Sequence, residues 1–439
     1  MTALVFLGLV AACGPGPGKP ANVVVILVDT LRQDHVGCYG HDRNTTPAID
    51  AFAGDAVKFE RAYATSPWTM PTVASMFTGL YPGRHRVRTI DMALPGEVTT
   101  LAEILQQRGY ATAGVVSHVL LDRRHRFDQG FAEYVEVIDQ RQPHETVTTA
   151  EVTDAALQLL AGLEKQRDPF FMFVHYFDPH YNYKRHPEVG FAPESAGRLT
   201  GDETIMDLYE VMEDMTAAEI ALVEAIYDEE IRHTDGGVGR LLQMLRESGR
   251  FEDTWIVVLS DHGEEFMEHG NIGHTITLFE ELVKVPLVIR PPGHSAGSRS
   301  IDAPVSLVSL TPTLLDGLEI DSALDFQGQS LLPLMTAGGD GEDVVYCETD
   351  QLVNKRGAIV GRYKIVRDEQ TGRVELYDII ADPTEQFDRS ELEPELTVRL
   401  VGVLDQRIAW TAEDPVEAEA IRLTDEELQQ LKSLGYVGN

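Results

Sequence analysis

The stretch Asn22–Thr30, NVVVILVDT, constrains this chain more than any other. From Val23 to Val28 no polar residue interrupts it, so it cannot alternate between core and solvent. It reads as a strand covered on both faces, the situation of a parallel sheet. Parallel strands need crossover connections, usually helices, and the sequence supplies them. The helical pattern TTLAEILQQRGY precedes ATAGVVSH, and TTAEVTDAALQLLAGLEK precedes PFFMFVHYFD. AAEIALVEAIYDEEIRHTDGGVGRLLQMLRESG, read as a pair of amphipathic helices, precedes TWIVVLSDHG. VPLVIRPP and LVSLTPTLLDGLEI add one more strand and helix, and the alternation predicts an α/β fold with a mostly parallel sheet.

From about residue 340 the texture changes. DVVYCETD, GAIVGRYKIVRD and RVELYDII are short β-rich segments between turns, predicting a small antiparallel sheet. Two helices follow, the last opened by the capping box Thr424-x-x-Glu427. The expected division is a leader and tether at 1–20, a large α/β domain at 21–338 and an α+β subdomain at 339–439. The aperiodic stretch YNYKRHPEVGFAPESAGRLTGDETIMD is long for a loop and reads as a lid or specificity loop.

Charge narrows the partners. With 36 basic and 71 acidic side chains the net charge is −35, which repels nucleic acid and anionic lipid headgroups. An anionic substrate must then be held by local cations or a metal. The opening MTALVFLGLVAACG resembles a bacterial lipoprotein signal, with Cys13 as the lipidated residue and GPGPGKPAN as a tether. It departs from that pattern in having no Lys or Arg before the apolar run. The expectation is a periplasmic or cell-surface protein whose only membrane attachment is through Cys13. The oligomeric state stays open.

In open α/β sheets ligands sit beyond the carboxyl ends of the strands. Here those ends carry the reactive side chains: Asp29 after the first strand, Asp178 and His180 in VHYFDPH, and Asp261 and His262 in VVLSDHG, with His269 and His274 following. One such Asp is an ordinary cap or turn residue; three strands ending this way point to a divalent cation. Mixed oxygen and nitrogen donors suit Zn or Mn better than Ca. Thr69, in SPWTMPTVASMFTGLYPGRH, falls at the N-cap or first position of a helix, with Pro71 tolerated in the first turn. Free N–H groups there favour an anion. Alone, Thr69 reads first as a cap, since its hydroxyl is a poor nucleophile until a base or metal activates it.

The blocks VVVILVDTLRQDHVGCYG, MPTVASMFTGLYPGRH, FFMFVHYFDPH, VVLSDHGEEFMEHG and TLFEELVKVPLVIRPPG resemble, in order, those of the sulfatase family within the alkaline-phosphatase superfamily. The resemblance spans nearly the whole chain from Asn22. It implies a large alkaline-phosphatase-like α/β/α domain, a small C-terminal antiparallel sheet domain and a metal-dependent ester hydrolase. The sequence departs from the family where it matters. The position of the Cys or Ser that is oxidised to formylglycine is Thr69, which cannot form an aldehyde; the motif Arg is Val73; and two Lys positions hold Ser117 beside His118, and His274. These departures resemble Thr-nucleophile relatives. They imply Asp29, Thr69, Asp261 and His262 as the metal set for one divalent ion (Mn, Zn or Ca), and Thr69, His180 and His274 as catalytic. His118, Arg84, His180 and His274 would bind a small anionic ester. Asp178, His180 and His274 leave room for a second metal. The expected reaction is hydrolysis of a phosphodiester or phosphonate monoester through Thr69. Sulfate-ester hydrolysis, phosphoryl transfer and a non-catalytic binding lipoprotein are the alternatives.

Overall fold

The computed structural model describes residues 20–138, 147–166, 168–294, 297–339, 341–433 and 435–436. Cys13 and the proposed leader lie outside them. The strands of the main sheet are β1 (Asn22–Val28), β2 (Val57–Tyr63), β3 (Ala111–Val116), β4 (Glu133–Glu136), β5 (Phe170–Tyr176), β6 (Thr254–Leu259), β7 (Lys284–Arg290), β8 (Arg299–Ile301) and β9 (Val305–Ser306). Their order is β8-β2-β7-β6-β1-β5-β3-β4, with β9 also on β2. β1 lies parallel between β5 and β6, and β7 is antiparallel to both β2 and β6. Every residue of β1 is buried, as its unbroken apolar run requires. Each such Val, Leu or Ile contributes roughly 1.5–3 kcal/mol by leaving water.

Helix α1 (Thr69–Thr78) is buried along its whole length. Its hydroxyls are therefore paired within the protein: Thr72 donates to the Ser66 carbonyl at 2.9 Å and Thr78 to that of Ala74 at 2.7 Å. Helix α2 (Thr149–Leu163) packs beside β5, and α3 spans Ala217–Glu247.

The expected helix pair is one 31-residue helix. Gly236 and Gly237 do not break it, because the second serves close packing. A Cβ at Gly237 would stand 2.6 Å from Thr153 Oγ1 and 3.0 Å from Thr149 Cγ2. The pair is a reminder that glycine in a helix interior is tolerated where a neighbour takes the space of its side chain.

The small antiparallel sheet comprises β10 (Val345–Thr349), β11 (Lys355–Val360), β12 (Tyr363–Asp368) and β13 (Val374–Asp378). Helix α4 (Pro394–Thr411) packs on it. The chain then returns to the large domain: Glu419–Ala420 pairs with Met92–Ala93, and helix α5 (Asp425–Ser433) follows behind the expected Thr424–Glu427 capping box. Leu431 and Tyr436 belong to the same hydrophobic core as β1. Residues from about 416 onward thus serve the large domain, although they follow the small sheet in the chain.

Candidate active site

Five strands deliver side chains to one edge of the sheet. The parallel ladder continues past β1, where the Asp29 N–H donates to the Tyr176 carbonyl at 2.9 Å, and it places the Asp29 carboxylate beyond the strand end. β6 delivers Asp261 and His262, β5 leads to His180, β3 to His118, and the segment after β2 leads into Thr69. Asp29, Thr69, Asp261 and His262 have no exposed surface.

The Asp29–Asp261–His262 group is built for a cation. His262 Nδ1 lies 2.9 Å from the Gly263 carbonyl, which only accepts, so the ring proton sits there and Nε2 presents a lone pair. That lone pair is 3.4 Å from Asp29 Oδ1 and 3.6 Å from Asp261 Oδ2. Both of these carboxylate oxygens are buried with no hydrogen-bond partner. Burial and the neighbouring Asp261 charge push the Asp29 carboxyl well above its ordinary range. Acceptors facing one another in a dry pocket repel, and a divalent cation is what reverses the penalty. The residues fit one, and Thr69 Oγ1, 3.3 Å from His262 Nε2, faces the same space.

Thr69 is not the N-cap. Trp68 holds that position in extended conformation, and Thr69 is the first helical residue. Its hydroxyl is thus turned toward His262 instead of back onto its own helix.

A second group lies alongside. His118 Nδ1 accepts from the Leu120 N–H at 3.0 Å, leaving its Nε2 with the proton. His180 Nδ1 lies 2.6 Å from the Tyr181 carbonyl, so its Nε2 carries the lone pair. His274 Nδ1 lies 2.8 Å from Glu264 Oε1. Burial raises the proton affinity of Glu264 and lowers that of His274, the latter helped by His262 and His180. Both shifts favour a neutral pair, with Glu264 donating to His274 Nδ1 and His274 Nε2–H toward the pocket. All three Nε2 atoms meet one phenol: Tyr436 Oη is 3.4 Å from His118, 3.2 Å from His180 and 3.2 Å from His274.

Two expected participants stand elsewhere. Arg84 pairs with Asp325 at 3.0 Å. Asp178 Oδ2 accepts from the backbone N–H of Thr148 and Thr149 at 3.0 and 2.7 Å and from the Thr149 hydroxyl at 2.6 Å. That carboxylate caps α2, and among the described residues it joins no metal-binding group with His180 and His274. Arg123, Arg124 and Arg126 pair with Glu136, Glu427 and Glu419. His269 stacks on Phe279.

The sequence reading passed over three residues. His175 Nε2 lies 3.0 Å from Asp29 Oδ2, and burial lowers its pKa to about 4. Its signal was a histidine inside an otherwise apolar strand. Glu264, in the loop after β6, holds His274 Nδ1 and so orients the ring. Tyr436 carried no local signal. Backbone strain also gathers here: Thr30 (φ 52°) follows Asp29 and Thr275 (φ 88°) follows His274, both β-branched residues in the left-handed region. Such conformations cost of order 1–3 kcal/mol each and persist where the surroundings dictate them. The Thr30 carbonyl is held by the Tyr227 hydroxyl of α3 at 2.7 Å.

Comparison with known proteins agrees with this architecture. The family model described as Sulfatase matches residues 21–320, and that of the N-sulphoglucosamine sulphohydrolase C-terminal region matches 268–406. The uncharacterized sulfatase YidJ of Escherichia coli is 24% identical over 414 residues, covering 84% of this chain and 82% of that protein. The choline-sulfatase of Rhizobium meliloti is 26% identical over 429 residues, covering 85% and 83%. Among solved structures, the phosphonate monoester hydrolase of Agrobacterium radiobacter superposes with a TM-score of 0.74 at 22% identity, over 93% of this chain and 99% of that one.

Proposed function

The chain belongs to the sulfatase family and is an ester-bond hydrolase, and on that premise we propose that it uses Thr69 as a covalent nucleophile on a phosphodiester or phosphonate monoester. The observation that carries this reading is the position of Thr69. It is the first residue of a buried helix, its hydroxyl lies 3.3 Å from His262 Nε2, and it faces two carboxylate oxygens without partners. Asp29, Asp261, His262 and Thr69 would hold one divalent cation, which when bound neutralises charge and lowers the pKa of oxygens it touches.

The remaining chemistry belongs to the chain. The Thr69 oxygen bonds to phosphorus as the bond to the leaving oxygen breaks, and water later releases the phospho-threonine. Nε2–H of His118 and of His274 donate to the oxygens that gain charge. Nε2 of His180, whose Nδ1–H donates to the Tyr181 carbonyl, takes up the proton that leaves the Thr69 hydroxyl and passes it to the leaving oxygen. The side chains that meet the Thr69 hydroxyl include the His262 imidazole, the Asp29 carboxylate and the Tyr436 phenol. A single cation with neutral imidazoles suits a monoanion better than a dianion, which supports the diester or phosphonate class.

Sulfate-ester hydrolysis is the second reading, favoured by the family model and by the sulfatases among the relatives. Hydrolysis of nitrophenyl diester, phosphonate, monoester and sulfate substrates with Mn, Zn or chelator separates the two. Metal-dependent diester or phosphonate turnover, with a phosphate adduct on Thr69 by mass spectrometry and loss of turnover in Thr69→Ala, is the expected result. Turnover of sulfate alone refutes the phosphoryl assignment. We also propose that the protein is tethered on the periplasmic side through lipidated Cys13, supported by Leu9–Cys13; fatty-acid labelling lost in Cys13→Ala tests it. Among the described residues no helix is long and apolar enough to cross a membrane.

A further inference from the structure

We propose that His186, Glu188 and His233 form a zinc site, separate from the Thr69 pocket, that clasps the loop after His180 to helix α3. His186 and Glu188 lie in the aperiodic stretch that begins at Tyr181, and His233 lies on α3. One donor atom from each stands within 4.8 Å of the other two. Glu188 Oε1 is 3.4 Å from His186 Nδ1 and 3.9 Å from His233 Nδ1. Both separations exceed the usual N–H···O range of about 2.7–3.2 Å. Two ligands about 2.0–2.1 Å from a tetrahedral ion stand about 3.3 Å apart, so these donors sit near coordination spacing. Two imidazoles and one carboxylate are a zinc donor set.

The His186 ring adds a second, independent observation. Only 7% of the residue is exposed, and its Nε2 is buried with no hydrogen-bond partner. A buried imidazole so sparsely bonded costs free energy, and a cation at Nδ1 supplies an interaction the protein itself withholds. The His233 ring stacks on it with centroids 4.1 Å apart, bringing both Nδ1 edges to one carboxylate. Burial, and then the His233 charge, lower the His186 pKa, while its own backbone N–H and then His186 hold the Glu188 carboxyl below its ordinary range. A neutral imidazole and an ionised carboxylate are the forms that bind a metal.

The loop is already moulded to the helix at this point. Glu229, one turn before His233, accepts from the backbone N–H of His186 at 3.0 Å, of Phe191 at 2.9 Å and of Ala192 at 2.8 Å. Backbone fixed beforehand lowers the cost of gathering the ligands. The neighbouring cation, Arg232, is drawn toward Asp235 at 3.5 Å. A cavity of about 450 Å³, lined by Glu188, His233, Arg232 and Asn44 among others, opens beside the group and leaves room for a water at the fourth position. Among the described residues, the other histidine–carboxylate group away from the Thr69 pocket is His35, His41 and Asp228. It already has its cation, because Arg43 donates to Asp228 Oδ2 at 2.6 Å. The clasp begins six residues beyond His180 (186 minus 180), whose Nδ1 lies 2.6 Å from the Tyr181 carbonyl at the start of the same loop. Zinc would therefore fix the outer part of the segment whose first residue orients His180.

The test is zinc binding to the metal-free full-length protein, by calorimetry and elemental analysis, in wild type, Glu188→Gln, His233→Gln and Asp261→Asn. The Glu188 and His233 side chains are 66% and 32% exposed, so neither substitution disturbs the core. The expected result is two zinc ions per wild-type chain and one in each variant. The zinc kept by Asp261→Asn should slow tryptic cleavage after Lys184, Arg185 and Arg198. Adding His233→Gln to that variant should weaken its zinc binding at least about tenfold and remove the protection. If Asp261→Asn fails to fold, the loss of one zinc between wild type and His233→Gln decides the matter. One zinc in wild type that disappears in His233→Gln and persists in Asp261→Asn leaves the clasp standing and removes the metal from the Thr69 pocket. Zinc content and affinity unchanged by Glu188→Gln and His233→Gln overturn the clasp, whatever Asp261→Asn does.

Discussion

Gly236 and Gly237 are neighbours in α3, yet alanine at the two positions is expected to act with opposite sign. Gly236 is exposed and a Cβ there meets nothing within 4 Å. Replacing glycine by alanine in a helix interior then gains about 1 kcal/mol, mostly by restricting the unfolded chain. Gly237 has the same intrinsic gain, but its methyl would stand 2.6 Å from Thr153 Oγ1, 3.0 Å from Thr149 Cγ2 and 3.2 Å from Tyr176 Cε1. Thr153 cannot simply rotate away, because its hydroxyl bonds the Thr149 carbonyl at 2.6 Å and the Tyr176 hydroxyl at 3.0 Å. Overpacking of this kind costs typically 1–3 kcal/mol, leaving a net loss of about 1 kcal/mol. The two variants should therefore differ by roughly 2 kcal/mol in urea unfolding, at unchanged m-value. A functional difference should accompany it. Thr149 donates twice to Asp178, which precedes His180 by two residues, so Gly237→Ala should lower turnover while Gly236→Ala leaves it near the wild-type level. If both alanines stabilise, or if Gly237→Ala is as stable as wild type, the close-packing account of the long helix is wrong.

Acid should unfold the protein partly through His85. Burial, and then the Arg88 charge, lower its pKa from 6.5 to about 3, and its Nδ1 accepts the Val87 N–H at 3.1 Å. The unfolded chain binds the proton first, so stability falls as pH drops from about 6.5 toward about 3. The total is of order 5 kcal/mol, and His85→Asn should flatten that slope in pH-dependent urea melts. Asp178→Ala removes the cap of α2 and should cost about 1–3 kcal/mol in thermal unfolding, with turnover reduced through displacement of His180. Mn at 100 times its Kd should stabilise the protein by about 2.7 kcal/mol in a thermal-shift titration. Chelator should abolish that gain and Asp261→Asn should greatly diminish it; an undiminished gain in Asp261→Asn would place the metal elsewhere.

The α/β fold and the strand ends carrying Asp29, Asp261 and His262 were legible from sequence because burial on both faces leaves an unbroken apolar run, and polar residues can follow only where it stops. Thr69 was legible by its place before a helix. The chain alone did not say where its hydroxyl points; that depended on Trp68 taking the N-cap and leaving the Thr69 hydroxyl beside His262. Arg84 and Asp178 looked like ligands because residue type shows what a side chain can bind and not what it already binds, and Asp325 and the start of α2 had taken them. Glu264 acts through a tautomer, which exists only once burial shifts two proton affinities together. Tyr436 is 367 residues beyond Thr69 in the numbering (436 minus 69) and meets three imidazoles contributed by separate loops. No local pattern encodes such a meeting, because it requires the return of the chain across the large domain after the small sheet is complete.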